Sequence, residues 1–242
     1  MTPTDQSSGS GFGTGLWRNN PALVQLLGLS PLLAMSRSVA TALGLGFATL
    51  AVLVASSVAI ALLRKRTPDA VRIPLFLLLI ATFTGCIELL LQAYRYPLYQ
   101  ALGIFVPLIA ANGALLASAD ASRRHSLASA ARDGLLTGLG FAWVLILLGA
   151  LRELLGQGTL CRHMDLLFGP GAAAWQLQVL PDNYEFPLWV LPPGAFLLTG
   201  FLLALKNAID LRRTSPAPPA PAPPAPVPTP GAKRVRVTGV PR

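Results

Sequence analysis

Six runs of apolar residues make up most of the chain, and short polar stretches separate them. A continuous α-helix needs about 20 apolar residues to cross a bilayer. Five of the runs reach that length, whereas the first, with 15 residues, falls short of it. The runs occupy residues 21–35, 39–63, 73–93, 98–119, 135–155 and 187–211. This pattern predicts an all-α integral membrane protein with six transmembrane helices.

Two of the runs are related in sequence and are interrupted at matching places. Residues 23–36 read LVQLLGLSPLLAMS, and residues 98–113 read LYQALGIFVPLIAANG. Each stretch contains a glycine and a proline, which weaken or break a helix. These are Gly28 and Pro31 in the first stretch, and Gly103 and Pro107 in the second. We therefore expect a broken helix in each.

The likeness between the two halves of the chain extends beyond the broken helices. The sequence GLGFA at 44–48 returns at 138–142, and IPLFLL at 73–78 is echoed by FPLWVL at 186–191. Matches in the same order indicate that a unit of three helices was duplicated. Because each unit has an odd number of crossings, the second copy is inserted with the opposite orientation, which predicts a site between inverted repeats near the membrane midplane.

The predicted organisation has two repeats and two extensions. The first three-helix repeat covers residues 21–93, and the second, inverted repeat covers 98–213 with an external loop at 156–186. Residues 1–20 are rich in Gly and Ser, show no signal-peptide pattern and are expected to be disordered. Residues 214–242 are rich in Pro and Ala and are expected to form a disordered cytoplasmic tail.

Charge supports the membrane class and predicts an orientation. Charged residues are 12% of the chain, against roughly 25% in soluble domains. The net charge of +9 comes from loops and the tail, so no nucleic-acid partner is predicted. In the six-helix scheme, the face that carries both termini has most of the basic residues, which places the termini in the cytoplasm. The opposite face has Arg37, Arg95, Arg152 and Arg162.

The chain offers little chemistry of its own. It has no phosphate-binding loop, dinucleotide fingerprint, nucleophile–base arrangement or HExxH motif, so we expect no catalytic residue and no enzyme acting alone. Cys86 lies in an apolar run and Cys161 in a polar loop, without disulfide or metal-motif spacing. His125 and His163 lie in different loops, and no metal site is predicted.

Glu88 is the one acid placed well inside a predicted span. Ionisable groups in the bilayer are costly and often mark ion paths. Glu88 is also close to the outer end of its helix, where pairing with Arg95 or extension of the side chain to the interface explains it equally well. Broken helices can likewise enclose an ion, a cofactor or a partner protein. Composition and spacing do not choose among these.

Four motifs together resemble one family of membrane subunits. The sequences NPALVQLLGLSPLLA, LYQALGIFVPLIAANG, LGALRELLGQGTL and LPPGAF are similar to those of the E subunit of the Rnf (Rsx) ion-translocating electron transport complex. The E subunit is a sister of the D subunit of sodium-pumping NADH:quinone reductase. The resemblance covers about residues 19–213 and all six predicted crossings.

The resemblance also implies a location, a function and partners. It implies a multi-pass protein of the bacterial inner membrane that pairs with the homologous, oppositely inserted A subunit and with the other Rnf subunits, surrounded by membrane lipid. The complex moves electrons between ferredoxin and NAD and couples this transfer to sodium or proton transport. The chain would then be one part of a translocase and oxidoreductase, without catalytic activity alone.

In that family each broken helix carries one cysteine, and the E and A subunits each supply two cysteines that hold an iron–sulfur centre between them. Ser30 stands where the family has the cysteine of LGLCPLLA, and Gly113 stands where it has the cysteine of TNC. A [2Fe–2S] cluster is normally held by four thiolates. We therefore expect Ser30 and Gly113 to mark the cofactor positions without supplying ligands, and we assign no cofactor to this chain. The Ser30 hydroxyl is more simply expected to satisfy a backbone group freed by the break.

Two other functions fit the same residues. The absent cysteines fit a divergent paralogue that has a structural or assembly role without a cluster. The repeat interface and Glu88 fit a small inverted-repeat transporter that acts alone.

Overall fold

The computed structural model describes residues 20–63, 67–68, 71–112, 126–181 and 186–213, which are mostly helical. The α-helices are α1 (Leu29–Met35), α2 (Val39–Leu63), α3 (Arg72–Tyr94), α4 (Tyr96–Leu102), α5 (Leu127–Gln157), α6 (Asp165–Phe168), α7 (Pro187–Val190) and α8 (Pro192–Arg213). Short 3-10 helices are formed by Gly103–Phe105, Pro107–Ala111 and Pro170–Trp175. Strands β1 (Thr159–Leu160) and β2 (Leu177–Gln178) form an antiparallel pair.

Four of the described helices, α2, α3, α5 and α8, are long and apolar enough to cross a membrane. The 25 residues of α2 extend roughly 37 Å at about 1.5 Å per residue, which exceeds the roughly 30 Å of a bilayer core. The membrane class is therefore confirmed, together with the second, third, fifth and sixth runs as helices. The other two runs form short, interrupted segments, and the predicted breaks in them are confirmed.

Helices α2 and α5 pack against each other in antiparallel directions along most of their length. A Cβ added at Gly149 would lie 2.9 Å from the Cβ of Ala42, and one at Gly134 would lie 2.8 Å from the Oγ of Ser57. Small residues allow helix backbones to approach this closely, which is a common way for helices to associate in membranes. The glycines of α5 therefore set the spacing of this central pair.

The hydrophobic core surrounds the central pair and includes the broken segments. Its members come from α1, α2, α3, α4, α5 and α8 and from the segments next to them, and those with no exposed surface include Leu32, Leu45, Ile80, Leu102 and Phe141. Large apolar side chains also lie exposed on the outer faces, among them Phe47, Trp143 and Phe201. Exposed apolar surface of this kind is expected where a protein faces lipid or another protein.

The fifth and sixth helices depart from their predicted bounds. Helix α5 begins at Leu127, before the apolar run at 135–155, and Ser126 caps it by accepting the N–H of Ser129. The sixth run is divided at Leu191 because Pro192 follows it, and a residue that precedes proline is disfavoured in the helical region. The external loop predicted at 156–186 contains α6 and the β1–β2 pair.

The chain divides into two compact units, residues 1–206 and 207–242. The site described below lies in the first unit. In the second, the structure describes only residues 207–213, the last turns of α8. The predictions for residues 1–19, for Gly113 and for the tail at 214–242 fall outside the described residues.

Candidate functional site

The two broken segments contact each other at Gly28 and Asn112. Gly28 has a φ of 72°, and a Cβ added there would lie 2.5 Å from the Oδ1 of Asn112. Asn112 follows the second 3-10 helix and is buried, with 4% of its surface exposed. Glycine is therefore needed at residue 28 both for its left-handed backbone and for the close approach of the Asn112 side chain.

Gly103 occupies the position in the second segment that matches Gly28 in the first. It also has a positive φ, 53°, but a Cβ added to it would meet nothing within 4 Å among the described residues. Helix α4 ends just before it, and Pro107 begins the next 3-10 helix. Both segments are thus interrupted at their predicted glycine and the second also at Pro107, whereas Pro31 lies inside α1 without breaking it.

Ser30 is the second residue of α1, and it is exposed. Its hydroxyl makes no hydrogen bond to any described residue, so the expected bond to a freed backbone group stays a prediction. Gly113 lies outside the described residues, directly after Asn112. The structure therefore brings together the neighbours of the two family cysteine positions, Gly28 beside Ser30 and Asn112 beside Gly113.

The groups at these breaks do not fit a cluster held by thiolates. Both cysteines of the chain lie elsewhere, with Cys86 exposed on α3 and Cys161 following β1. Within the described ranges, no group of three or more His, Cys, Asp or Glu residues could hold a metal ion. At the breaks themselves, Ser30 offers a neutral hydroxyl and Gly113 has no side chain.

Arg152 lies near the end of α5 and is buried, with 1% of its surface exposed. Its Nε donates to the carbonyl of Trp189 at 2.9 Å, and its Nη1 donates to the carbonyl of Leu33 at 2.9 Å. Further acceptors are the Oγ of Ser36 at 2.8 Å and the carbonyls of Val190 and Leu191. A single guanidinium therefore joins the end of α1 to the break between α7 and α8.

Two of these carbonyls, those of Trp189 and Leu33, are ones that helix ends leave without partners. In a continuous helix, the carbonyl of Trp189 would accept the N–H of residue 193, which is a proline and has none. Leu33 lies in the last turn of α1, where carbonyls have no helical donor. Arg152 supplies the missing donors from a different helix.

Glu153 has no exposed surface, and its carboxylate accepts hydrogen bonds from backbone N–H groups of other segments. Its Oε2 accepts the N–H of Val39 at 2.8 Å, and its Oε1 accepts the N–H of Arg162 at 2.7 Å. Val39 is the first residue of α2, where N–H groups lack helical acceptors and a negative charge is favourable. Arg152 and Glu153 together fix the α1–α2 elbow, which we define as residues 36–38.

The sequence interpretation missed this pair of residues. It counted Arg152 among the basic residues of the outer face, near the end of the predicted run at 135–155, and did not foresee that the side chain is buried. It did not single out Glu153. The available signal was the adjacent Arg and Glu in the otherwise apolar sequence LLGALRELLG, because ionisable groups inside a span indicate a functional or structural requirement.

Glu88 has a local partner at the junction of α3 and α4. The hydroxyl of Tyr99 lies 3.3 Å from the Oε1 of Glu88 and donates to it. No ion pair with Arg95 is found among the described residues. Of the alternatives for Glu88, the structure therefore supports a local polar contact, with Tyr99 in place of Arg95.

Cys161 lies in the loop that follows α5, close to the buried acid. Burial raises the pKa of its thiol, and the negative charge of Glu153 raises it further. Its backbone is left-handed, with a φ of 61°. The thiolate, which is the reactive form, is therefore disfavoured at neutral pH.

Comparison with known proteins places the whole described core within one family. The family model described as Rnf-Nqr subunit, membrane protein, matches residues 10–203. The E subunit of the ion-translocating oxidoreductase complex of Pseudomonas paraeruginosa (strain DSM 24068 / PA7) is 56% identical over 227 residues, which cover 93% of this chain and 94% of that protein.

More distant relatives with the same name match over a similar length. The E subunit of Cellvibrio japonicus (strain Ueda107) is 52% identical over 229 residues, covering 93% of this chain and 94% of that protein. The E subunit of Shewanella loihica (strain ATCC BAA-1088 / PV-4) is 48% identical over 229 residues, covering 93% of this chain and 95% of that protein. The resemblance drawn from the four motifs is confirmed, and the chain belongs to the Rnf-Nqr family of membrane protein subunits.

Proposed function

We propose that this chain is the E subunit of an Rnf-type ion-translocating oxidoreductase complex in the bacterial inner membrane. The observation that carries the proposal is the near full-length match to proteins of that name. In the complex, electron transfer between ferredoxin and NAD is coupled to transport of sodium ions or protons. The chain contributes membrane helices to this machine, and both of its termini lie in the cytoplasm.

We further propose that the six apolar runs form two inverted repeats, residues 21–93 and 98–213. The left-handed glycines in both breaks support this arrangement. The antiparallel contact of α2 with α5 supports it too, because the repeated GLGFA motifs meet there. A Cβ at Gly46 in the first motif would lie 3.1 Å from the Cβ of Ala142 in the second.

The principal partner in this proposal is the homologous A subunit, inserted with the opposite orientation. Ser30 is exposed on α1 and lies close to the contact between the two breaks, which is where such a partner would approach. Because Ser30 and Gly113 offer no thiolate, we propose that this chain holds the broken segments in place without ligating a family-type [2Fe–2S] cluster.

Expression of the full chain with its A-type partner tests both parts of the proposal. The two chains should co-purify, and the reduced wild-type pair should contain little iron and give no cluster signal in electron paramagnetic resonance. The double variant Ser30→Cys, Gly113→Cys should gain both iron and signal, while Ser30→Cys alone should not.

The outcomes separate the two claims. A normal cluster signal in the wild-type pair would show that the loss of the thiolates has been misjudged. Failure of any A-type partner to co-purify would contradict the function itself. Unchanged electron flow through the membranes after deletion of the chain would contradict it as well.

A further inference from the structure

A cavity of about 550 Å³ separates α1 from the break between α7 and α8. On the α1 side it is lined by residues 30, 33, 34 and 37, whose spacing puts them on one face of the segment. On the other side it is lined by residues 190–192 and Phe196. The proposed function assigns no ligand to this space, although Ser30, near which the A-type partner would approach, also lines it.

The cavity carries two positive charges, Arg37 and Arg152, and none of its lining residues is acidic. Arg152 commits its donors to neutral oxygen atoms, so its charge is not neutralised there. The nearby carboxylate of Glu153 faces the N–H groups of Val39 and Arg162 instead. Since a charge acts more strongly in a low-dielectric interior than in water, the cavity should attract an anion.

Arg37 is the group that an anion could contact directly. Its side chain is exposed and makes no hydrogen bond or ion pair within the described part of the chain. Its positive charge acts on Arg152 without a compensating acid among the lining residues. The exposed hydroxyl of Ser30 adds one further donor to the same cavity.

The rest of the wall is apolar, which limits the kind of anion that fits. Leu33, Leu191 and Phe196 line the cavity, and Phe196 has 64% of its surface exposed. Arg37 precedes the first residue of α2 by two positions, at the end of a helix long enough to span the bilayer. The ends of such a helix lie at headgroup level, so the charged part of the cavity meets phosphates and its apolar part meets acyl chains.

We propose that this cavity binds an anionic phospholipid, whose phosphate lies against Arg37 and one of whose acyl chains lies along Leu33 and Phe196. Charge complementarity selects the headgroup, and the apolar wall distinguishes a lipid from a free anion. The proposal requires only that the chain is inserted in a membrane, so it does not depend on electron transfer.

Native mass spectrometry of the full chain, purified in detergent and supplied with one defined lipid, tests the proposal. Phosphatidylglycerol should be retained in preference to phosphatidylcholine with the same acyl chains. Arg37→Gln should weaken retention of phosphatidylglycerol about five-fold, the effect of roughly one surface charge, and Arg37→Lys should restore most of it. Arg95→Gln removes an exposed arginine outside the cavity and is the matched control, which should bind as the wild type does.

Each alternative occupant gives a different result. Equal retention of the two lipids, or equal losses in Arg37→Gln and Arg95→Gln, would overturn the proposal. Displacement of phosphatidylglycerol by inorganic phosphate alone would indicate a free-anion site and overturn it too. Loss of the bound lipid when the A-type partner co-purifies would show that the partner covers the cavity in the complex, and this too would overturn the proposal.

Discussion

At the scale of single residues, Arg152 and Glu153 show how a charged side chain can be accommodated in an apolar helix by hydrogen bonds to backbone groups. They are neighbours of opposite charge, yet each is directed to backbone groups of other segments. No local sequence pattern predicts which backbone groups they contact, because the acceptors of Arg152 lie more than 100 residues away in α1 and 37 residues away at Trp189. Ser30 and Gly113, by contrast, are predicted as cofactor positions from the sequence alone, because they interrupt recognisable motifs.

Replacement of Arg152 by Met should destabilise the protein strongly. It leaves the carbonyls of Leu33 and Trp189 without their donor, and each buried unsatisfied polar group costs roughly 1–3 kcal/mol. The midpoint of thermal unfolding in detergent should fall, and it should fall less for Arg152→Lys, which keeps the charge and part of the bonding. Arg95→Met is the matched control at an exposed site. An Arg152→Met protein as stable as this control would refute the role of the guanidinium.

Replacement of Gly28 by Ala tests the contact between the two broken segments. The added methyl group would collide with Asn112 at a left-handed position, and such overpacking costs about 1–3 kcal/mol. Gly103→Ala is the matched control, because it has the same backbone strain but open space around the Cβ. Thermal unfolding should show a larger loss for Gly28→Ala. Equal losses would mean that the breaks do not meet.

The reactivity of Cys161 should depend on pH in a defined direction. Because burial and Glu153 raise the pKa of its thiol, alkylation by iodoacetamide should rise at higher pH than for an exposed cysteine introduced by Gln176→Cys. Each protein keeps a single cysteine. The Cys161 protein carries Cys86→Ser, and the Gln176→Cys protein carries both Cys86→Ser and Cys161→Ser. Glu153→Gln removes a negative charge and should move the Cys161 curve to lower pH. A curve that Glu153→Gln leaves in place would exclude this electrostatic effect.

At the scale of secondary-structure elements, hydropathy predicted the helices well because polar residues inside a bilayer are costly. The predicted run at 39–63 is α2 with both of its bounds, and both broken segments were found. The extra turns of α5 were not, since a helix can continue into polar residues once it leaves the apolar layer. The break before Pro192 was missed, although Pro192 and Pro193 indicate it. The reason is that the mean hydropathy of residues 187–211 remains apolar across the break.

The pairing of α2 with α5 predicts that the glycines of α5 do not tolerate larger side chains. A leucine at Gly149 would collide with Ala42 and with the backbone of Ser38, at a cost of about 1–3 kcal/mol or more. Gly200→Leu in α8 is the matched control, because a Cβ there meets nothing within 4 Å among the described residues. Thermal unfolding should distinguish the two variants, and equal stability would argue against close packing of α2 on α5.

At the scale of the whole molecule, two observations share one explanation. The chain belongs to the Rnf-Nqr family over most of its length, and its two broken segments meet at Gly28 and Asn112. The proposed duplication of a three-helix unit, with the two copies inserted in opposite directions, would bring two related segments from distant parts of the chain together in this way. The proposed meeting of the two breaks near the membrane midplane and the pairing with the A subunit both depend on that inversion.

Labelling of single cysteines with a membrane-impermeant maleimide is the decisive experiment for the inversion. In a background with Cys86→Ser and Cys161→Ser, the variants Arg64→Cys, Arg123→Cys and Gln176→Cys are compared in intact cells and in inverted membrane vesicles. Two inverted repeats predict that only Gln176→Cys is labelled from outside, and that Arg64→Cys and Arg123→Cys are both labelled in inverted vesicles. Labelling of Arg64→Cys and Arg123→Cys from opposite faces would rule out the inverted arrangement.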